Sequence, residues 1–419
     1  MVSAAHEPVA AEPTAAQPEV GGAFIAGFVL AQVVAFVSFM PLLQIVLPLK
    51  VSLLAPGQKG EMLGLVASLG ALAAALANLG AGWLSDRTRS RWGRRRPWLL
   101  VGAVATAASY AAIGGARTPA GLIAAMLVFQ VAFNFIFAPL LALIPDRVPP
   151  AQRGWVAALA GLGFPLGTMV GSAVIGGWLT SEPARLAALA AIVLAGIVPF
   201  ALLIRDPQPQ AAAARASAAP IAPPPPGATR DFLWVWAGRF LVVTALSLVQ
   251  TYLLFYVRDG VGHGGSDAGA ARGVAQLAII SGVFNVAAGL VAGRLSDRLG
   301  RRKVFVVGGA VLMAAALVGL ALAHDWGAVV VLYAVYGCGV GSYYAADLAL
   351  VTQVLPSARG AGRDLGIVNL SNTAPQVLAP WAAGLLLQAQ HADIRWVLVL
   401  AACASVAGSL AVLPVRRVR

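Results

Sequence analysis

Residues 82–97 read Gly-Trp-Leu-Ser-Asp-Arg-Thr-Arg-Ser-Arg-Trp-Gly-Arg-Arg-Arg-Pro, and residues 293–303 read Gly-Arg-Leu-Ser-Asp-Arg-Leu-Gly-Arg-Arg-Lys. Gly82, Leu84, Ser85, Asp86 and Arg87 recur 211 positions later as Gly293, Leu295, Ser296, Asp297 and Arg298. After a four-residue contraction, Gly93-Arg94-Arg95 recurs as Gly300-Arg301-Arg302. A second echo, at an offset of 207, pairs Leu141-Ala142-Leu143 and Pro149 with Leu348-Ala349-Leu350 and Pro356. Each copy of the basic motif sits between two long apolar segments, so the chain reads as one membrane unit written twice.

The composition demands a membrane. Apolar residues make up 59% of the 419 and charged residues only 11%, with a mean hydropathy of +0.83. A soluble chain, about a quarter of it charged, has polar residues to cover its surface; this one does not. Twelve apolar spans of about 20 residues or more are expected at approximately 24–49, 61–85, 98–116, 120–145, 154–180, 186–204, 232–257, 273–296, 304–323, 327–354, 364–389 and 394–414. The expected fold is an all-α membrane protein with twelve transmembrane helices in two pseudo-symmetric six-helix halves. Between 206 and 231 the sequence turns to Pro, Gln and Ala and ends in Pro223-Pro224-Pro225-Pro226, a composition that suits a semi-rigid linker. The organisation read from this is a disordered tail over 1–22, halves over 23–205 and 232–415, a linker over 206–231 and a basic tail over 416–419.

The net charge of +13 is distributed as loops rather than as a nucleic-acid-binding face. Of the basic residues, 21 fall on one side of the spans, seven on the other, and Arg239 within a span. By the positive-inside rule the richer side is cytoplasmic. An even number of spans then puts both termini and the linker there, in a multi-pass protein of the bacterial inner (plasma) membrane. The first 22 residues lack Lys and Arg and so do not read as a signal peptide. Cys338 and Cys403 both fall inside spans, which argues against a disulfide framework.

Two six-helix halves, a central linker and Gly-x-Leu-Ser-Asp-Arg…Gly-Arg-Arg after spans 2 and 8 resemble the major facilitator superfamily. The resemblance runs from residue 24 to 414. The longer first copy, Asp86-Arg-Thr-x-Ser-x-Trp-Gly-Arg-x-Arg-Pro97, is similar to that of the glycoside–pentoside–hexuronide cation symporters and plant sucrose carriers. One departure concerns the coupling ion. The melibiose-type members place acidic residues deep in span 2 for sodium, whereas Leu63–Leu84 holds no carboxylate and Glu61 lies at its outer edge. A hard cation needs several oxygen ligands, so sodium coupling there is disfavoured. Span 5, Gly161–Gly171, is rich in glycine but lacks the Gly-Pro-x-x-Gly-Gly order common in efflux antiporters.

Ionisable groups inside a bilayer are costly and are functional candidates by default. Two stand well inside the expected spans: Arg239 on span 7 and Asp347 on span 10, each ~10 Å from the cytoplasmic edge at 1.5 Å per residue. The resemblance implies that spans 1, 4, 7 and 10 line a central cavity, where the two would face each other. Asp347 is the expected carrier of a coupling proton, with Arg239 tuning it; a permanent structural ion pair is the plainer alternative. Candidate solute ligands in helical register are Gln130 and Asn134 on span 4, Gln250 on span 7, Tyr336 and Tyr343 on span 10, and Asn369, Asn372 and Gln376 on span 11. The plainer reading of each is an interhelical hydrogen bond. Gln32 and Gln44 on span 1 carry less weight.

In the resembling family the basic motif latches the halves shut at the cytoplasmic side. That implies gating roles for Asp86, Arg87, Arg94, Asp297, Arg298 and Arg301, which can pair across the interface in one state and release in another. Setting topology and meeting anionic lipid are the plainer roles of the same arginines. No catalytic set, metal-ligand spacing or cofactor motif is read, so the chain is not expected to be an enzyme. Gly337-Cys-Gly-Val-Gly341 lacks the Gly-Lys-Ser/Thr of a phosphate loop and reads as helix packing. The expectation is a monomeric carrier working by alternating access, a proton-coupled symporter of a sugar or glycoside. Its alternative is a proton-coupled efflux or organic-anion carrier of the same fold, with Arg239 as anion ligand. The orientation is tested by adding protease to sealed right-side-out vesicles: the 206–231 linker should survive, and cleavage there would reverse the topology.

Overall fold

The computed structural model describes residues 19–204, 228–354, 361–390 and 393–415. The expected tails over 1–18 and 416–419, most of the linker, and Pro356 of the second echo lie outside these residues. The described chain is helical and carries no strand. Its first half consists of α1 (Gly22–Leu54), α2 (Lys59–Arg87), α3 (Arg96–Gly115), α4 (Pro119–Arg147), α5 (Pro150–Trp178) and α6 (Glu182–Leu203). The second half consists of α7 (Ala228–Phe255, continued by a π-helical turn Tyr256–Gly260), α8 (Asp267–Leu299), α9 (Arg302–Leu322), α10 (Trp326–Val354), α11 (Ala361–Gln390) and α12 (Arg395–Val412). Eleven of these are long and apolar enough to cross a bilayer; α11 completes the twelve among the described residues.

The duplication extends to packing. In the first half α4 packs on α2 and α3, α1 on α5 and α6, and α3 on α6. Six helices later, α10 packs on α8 and α9, α7 on α11 and α12, and α9 on α12. The interface between halves obeys the same rule, since α2 against α11 and α5 against α8 exchange under the pseudo-symmetry. Because the chain crosses with each helix, the bundle has a basic end, holding the loops after α2 and α8, and a far end, holding the loops after α1, α5, α7 and α11.

Small residues allow these contacts. A Cβ at Gly163, Gly167 or Gly171 of α5 would lie 2.9, 2.5 and 2.6 Å from Gln32, Phe36 and Pro41 of α1. The glycines of span 5 are therefore a packing seam, since hydrocarbon gives helices no hydrophobic drive and close approach supplies the attraction. Gly337 and Gly341 do the same for α10, abutting Ser281 and Asn285 of α8, as the sequence reading of that stretch expects. α1 bends where sequence and geometry agree: Pro41 removes a donor, and a π-helical turn follows at Leu42–Val46.

The contacts between halves concentrate at the far end. A Cβ at Gly64 of α2 would sit 2.3 Å from the Pro380 carbonyl of α11, and one at Gly384 would sit 3.2 Å from Glu61. A Cβ at Gly176 of α5 would lie 2.6 Å from the Ala271 carbonyl of α8. Tyr252 of α7 donates its hydroxyl to the Gly60 carbonyl of α2 at 3.1 Å and to the Pro380 carbonyl at 2.8 Å. The far end is closed.

Candidate functional site

Two polar layers are stacked along the bundle axis, one between second-half helices and one between the halves. The layer nearer the basic end is built on Arg239 and Asp347, which form an ion pair with side chains 11% and 3% exposed. Tyr343, one turn before Asp347 on α10, donates its hydroxyl to Asp347 Oδ1 at 3.0 Å. Arg239 Nε donates to Asn372 Oδ1 of α11 at 3.1 Å. One turn from Arg239, Trp236 Nε1 donates to the Ile367 carbonyl at 2.7 Å, fixing α7 against α11 at this level. Gln376 adds a bond from Nε2 to the Asn372 carbonyl at 3.0 Å. A charge buried in low dielectric needs both a counter-ion and hydrogen bonds on its remaining atoms, and this cluster supplies both.

Eleven residues along each helix, about 16 Å, lies a second, uncharged layer. A cavity of about 70 Å³ is lined by Gln250 on α7 and Tyr336 on α10, with Gln44, Thr168, Ser281, Asn285 and Tyr333 completing its polar wall. Residues from α1 and α5 face residues from α7, α8 and α10, so the cavity spans both halves. At this volume it holds a few waters rather than a sugar ring. Gln44 is 6% exposed and its Oε1 makes no hydrogen bond. The Tyr333 and Tyr336 rings lie 5.2 Å apart. Amides, hydroxyls and aromatic faces without a net charge can hydrogen-bond and stack on a neutral polyhydroxylated solute.

The remaining predicted ligands are elsewhere. Asn134 donates to the Gln130 carbonyl at 2.8 Å and accepts from Asn78 of α2 at 3.0 Å, so this pair ties α4 to α2 inside the first half. Asn369 is exposed on α11, and its carbonyl accepts from Thr373. Of the lining residues, the sequence marks Gln44 as a lesser candidate on span 1; Thr168, Ser281, Asn285 and Tyr333 carried no signal apart from their spans.

The basic motif is paired within its own half. Asp86 meets Arg95 at 2.6 Å, and Asp146, at the end of α4, receives Arg94 at 2.6 Å and Arg95 at 2.8 Å. Arg95, 4% exposed, also donates to Ser85. Arg87 stacks on Trp83, its guanidinium carbon 3.9 Å from the ring centre. Asp146 is the member that sequence reading missed. In the second half Arg302 reaches Asp297 at 3.5 Å, and Arg298 and Arg301 are exposed. The counterpart of Asp146 at the offset of 207 is Gln353, so this copy lacks the second carboxylate. Sequence reading also placed only two ionisable groups inside spans. The structure corrects this: α1 continues to Leu54 and carries Lys50 inside at 5% exposure, and Arg185 of α6 is 3% exposed.

Removing one partner of the buried pair should be the costlier change. Arg239→Gln alone leaves the Asp347 carboxylate uncompensated and is expected to destabilise by about 3–5 kcal/mol. Adding Asp347→Asn should recover most of that loss, read as the unfolding midpoint in detergent. A double variant no more stable than Arg239→Gln would mean that the pair is not what holds this layer.

Comparison with known proteins agrees with the architecture. The family described as MFS/sugar transport protein matches residues 57–358. An uncharacterized MFS-type transporter, YttB of Bacillus subtilis (strain 168), is 33% identical over 119 residues, a match spanning 28% of each chain. The nucleoside transporter NupG superimposes with a TM-score of 0.69 at 14% identity, over 94% of this chain and 98% of that one. A POT family transporter in complex with 5-aminolevulinic acid gives a TM-score of 0.74 at 11% identity, over 95% and 98%. A bacterial homolog of the human lysosomal transporter Spinster, inward-facing and occupied, gives 0.67 at 15% identity, over 93% and 94%. These likenesses carry the fold alone. The family match covers most of the chain, which belongs to the MFS/sugar transport proteins and is a multi-pass secondary transporter of the major facilitator superfamily.

Proposed function

We propose that the protein is a proton-coupled symporter of a sugar or glycoside, working by alternating access in a plasma membrane with its basic end and both termini cytoplasmic. In that orientation the closed far end is external. The two polar layers support a division of labour. The neutral layer suits the solute, and the charged layer suits the proton.

One observation carries the reading: Asp347 is buried, paired with Arg239 and bonded to Tyr343, seven residues inside the end of α10. A proton is the cation that a lone carboxylate binds well, whereas sodium needs several oxygens. Protonation neutralises Asp347 and frees Arg239 from its counter-ion; loss of the proton restores the pair. Because Arg239 and Asn372 join α7 to α11, and Asp347 lies on α10, the exchange changes what ties these helices together. The layer is thus an element with two arrangements, as coupling requires. Arg239 in this state is committed to Asp347, which argues against its serving as the ligand of an organic anion.

Asp347→Asn removes the titrating group but keeps shape and some hydrogen bonding. The variant should exchange solute across the membrane while losing accumulation driven by a pH gradient. If it still concentrates solute, Asp347 is a structural partner of Arg239 and the coupling assignment is wrong. The double variant with Arg239→Gln controls for folding: it should be stable and still uncoupled.

A further inference from the structure

The far end holds a chain of alternating charges that passes between the halves. It begins with Lys50 of α1, whose Nζ lies 2.6 Å from Glu182 and donates to the Gly114 carbonyl at 3.0 Å. One turn after Glu182 stands Arg185, whose Nε donates to the carbonyls of Ile175 and Leu179, both at 3.0 Å. Its Nη2 is buried without a hydrogen bond, and it lies in the field of two carboxylates, Asp267 of the other half and Glu182. Asp267 is 3.0 Å from Arg258, Arg258 is 3.1 Å from Asp259, and Asp259 returns to the first half, 2.9 Å from Lys59 at the head of α2.

Signs alternate along all seven, so each carboxylate sits between two cations. The chain crosses the interface twice, from Asp259 to Lys59 by a direct ion pair and from Arg185 to Asp267 through the longer-range field of two charges that are not in direct contact. Both crossings sit on close backbone contacts. Gly176 abuts Ala271 near the first, and Tyr252 bonds the Gly60 carbonyl at the second. If the halves separate here, Lys50, Arg185 and Lys59 against Glu182 leave the first-half members with a net +2, while Asp259 and Asp267 against Arg258 leave the second-half members at −1. Opposite charges on the two sides attract when the end closes, and their separation restores hydration when it opens.

We propose that these seven side chains form an electrostatic clasp on the far end, and that opening it at its two crossings is the step that exposes the central cavity to that side. The basic motif at the other end pairs Asp86 with Arg95 and Arg94 with Asp146 inside the first half, while the clasp joins the halves; the two ends of the carrier are held by different groups. The inference rests on the alternating-access reading above, and its test needs no solute.

The reporter is Ser281→Cys, lining the cavity, in a background of Cys338→Ser and Cys403→Ser. A membrane-impermeant maleimide is added outside sealed right-side-out vesicles and the labelling rate measured. Lys59 and Asp259 are about one-third exposed, at 35% and 32%, a class of ion pair whose loss shifts equilibria roughly two- to fivefold. Lys59→Gln and Asp259→Asn should each speed labelling by that factor, and together by no more than the larger single effect, because both remove one interaction. Asp267→Asn, at the other crossing and 55% exposed, should also speed labelling. Raising the ionic strength should accelerate the native protein more than the Lys59→Gln/Asp259→Asn variant. Native labelling rates in all three single variants, or effects of Lys59 and Asp259 that multiply, would overturn the clasp. Labelling as expected in a protein that concentrates no sugar would count against the substrate reading and leave the clasp standing.

Discussion

An unpaired charge in hydrocarbon is costly, and the placement of the described ionisable groups answers that cost. Most arginines stay in loops at one end, where headgroups and water solvate them. Three of those drawn inside are paired, Lys50 with Glu182, Arg95 with Asp86 and Asp146, Arg239 with Asp347, while Arg185 donates to two backbone carbonyls. Each pair joins different helices, so the rule that protects the charge also fixes the packing. A carrier can use this constraint, because a pair that must be satisfied in every state can be satisfied by different partners in different states. In the proposed mechanism a proton on Asp347 is one such exchange, and the opening of the far-end chain of charges is another.

Two kinds of contact hold the helices together, close glycine seams and ion pairs. Within the halves, the glycine seam of α5 on α1 and that of α10 on α8 bring backbones close enough that a single methyl group would collide. Such seams have one arrangement and favour rigid halves. Between the halves close glycine contacts recur, Gly64 on Pro380 and Gly176 on Ala271, but the Lys59–Asp259 ion pair at the far end is about one-third exposed and can be remade at small cost. The proposed rocking of one half on the other would break the second kind and leave the seams within each half intact.

Much of the fold was legible because duplication and hydropathy are one-dimensional signals. The repeat at 211 positions, the apolar spans and the loop asymmetry required no knowledge of tertiary contacts, and the repeat of the packing pattern followed. Arg239 and Asp347 were legible for the same reason, since a charge within an apolar run stands out. What remained hidden depends on three dimensions. Asp146 looks like a loop residue until α4 is seen to end beside Arg94 and Arg95. Gln130 and Asn134 share a helical face as expected, but that face meets Asn78 of α2, which spacing along one helix cannot reveal. Lys50 was read as lying outside because the π-helical turn after Pro41 lets α1 run on to Leu54. The far-end charges were counted as scattered loop residues, and only the closing of α2 on α11 and α5 on α8 puts them in sequence.

The central claim is that a proton moves with the solute through Asp347, and proton movement can be read directly. A panel of hexoses, pentoses and glycosides is first screened for concentration-dependent thermal stabilisation, which a bound ligand must produce. The strongest stabiliser is then added to lightly buffered, sealed right-side-out vesicles while the external pH is followed. The account predicts alkalinisation of the medium in step with solute entry, abolished in Asp347→Asn although solute still exchanges. Solute entry with no change of external pH, or an alkalinisation that Asp347→Asn leaves intact, would contradict it.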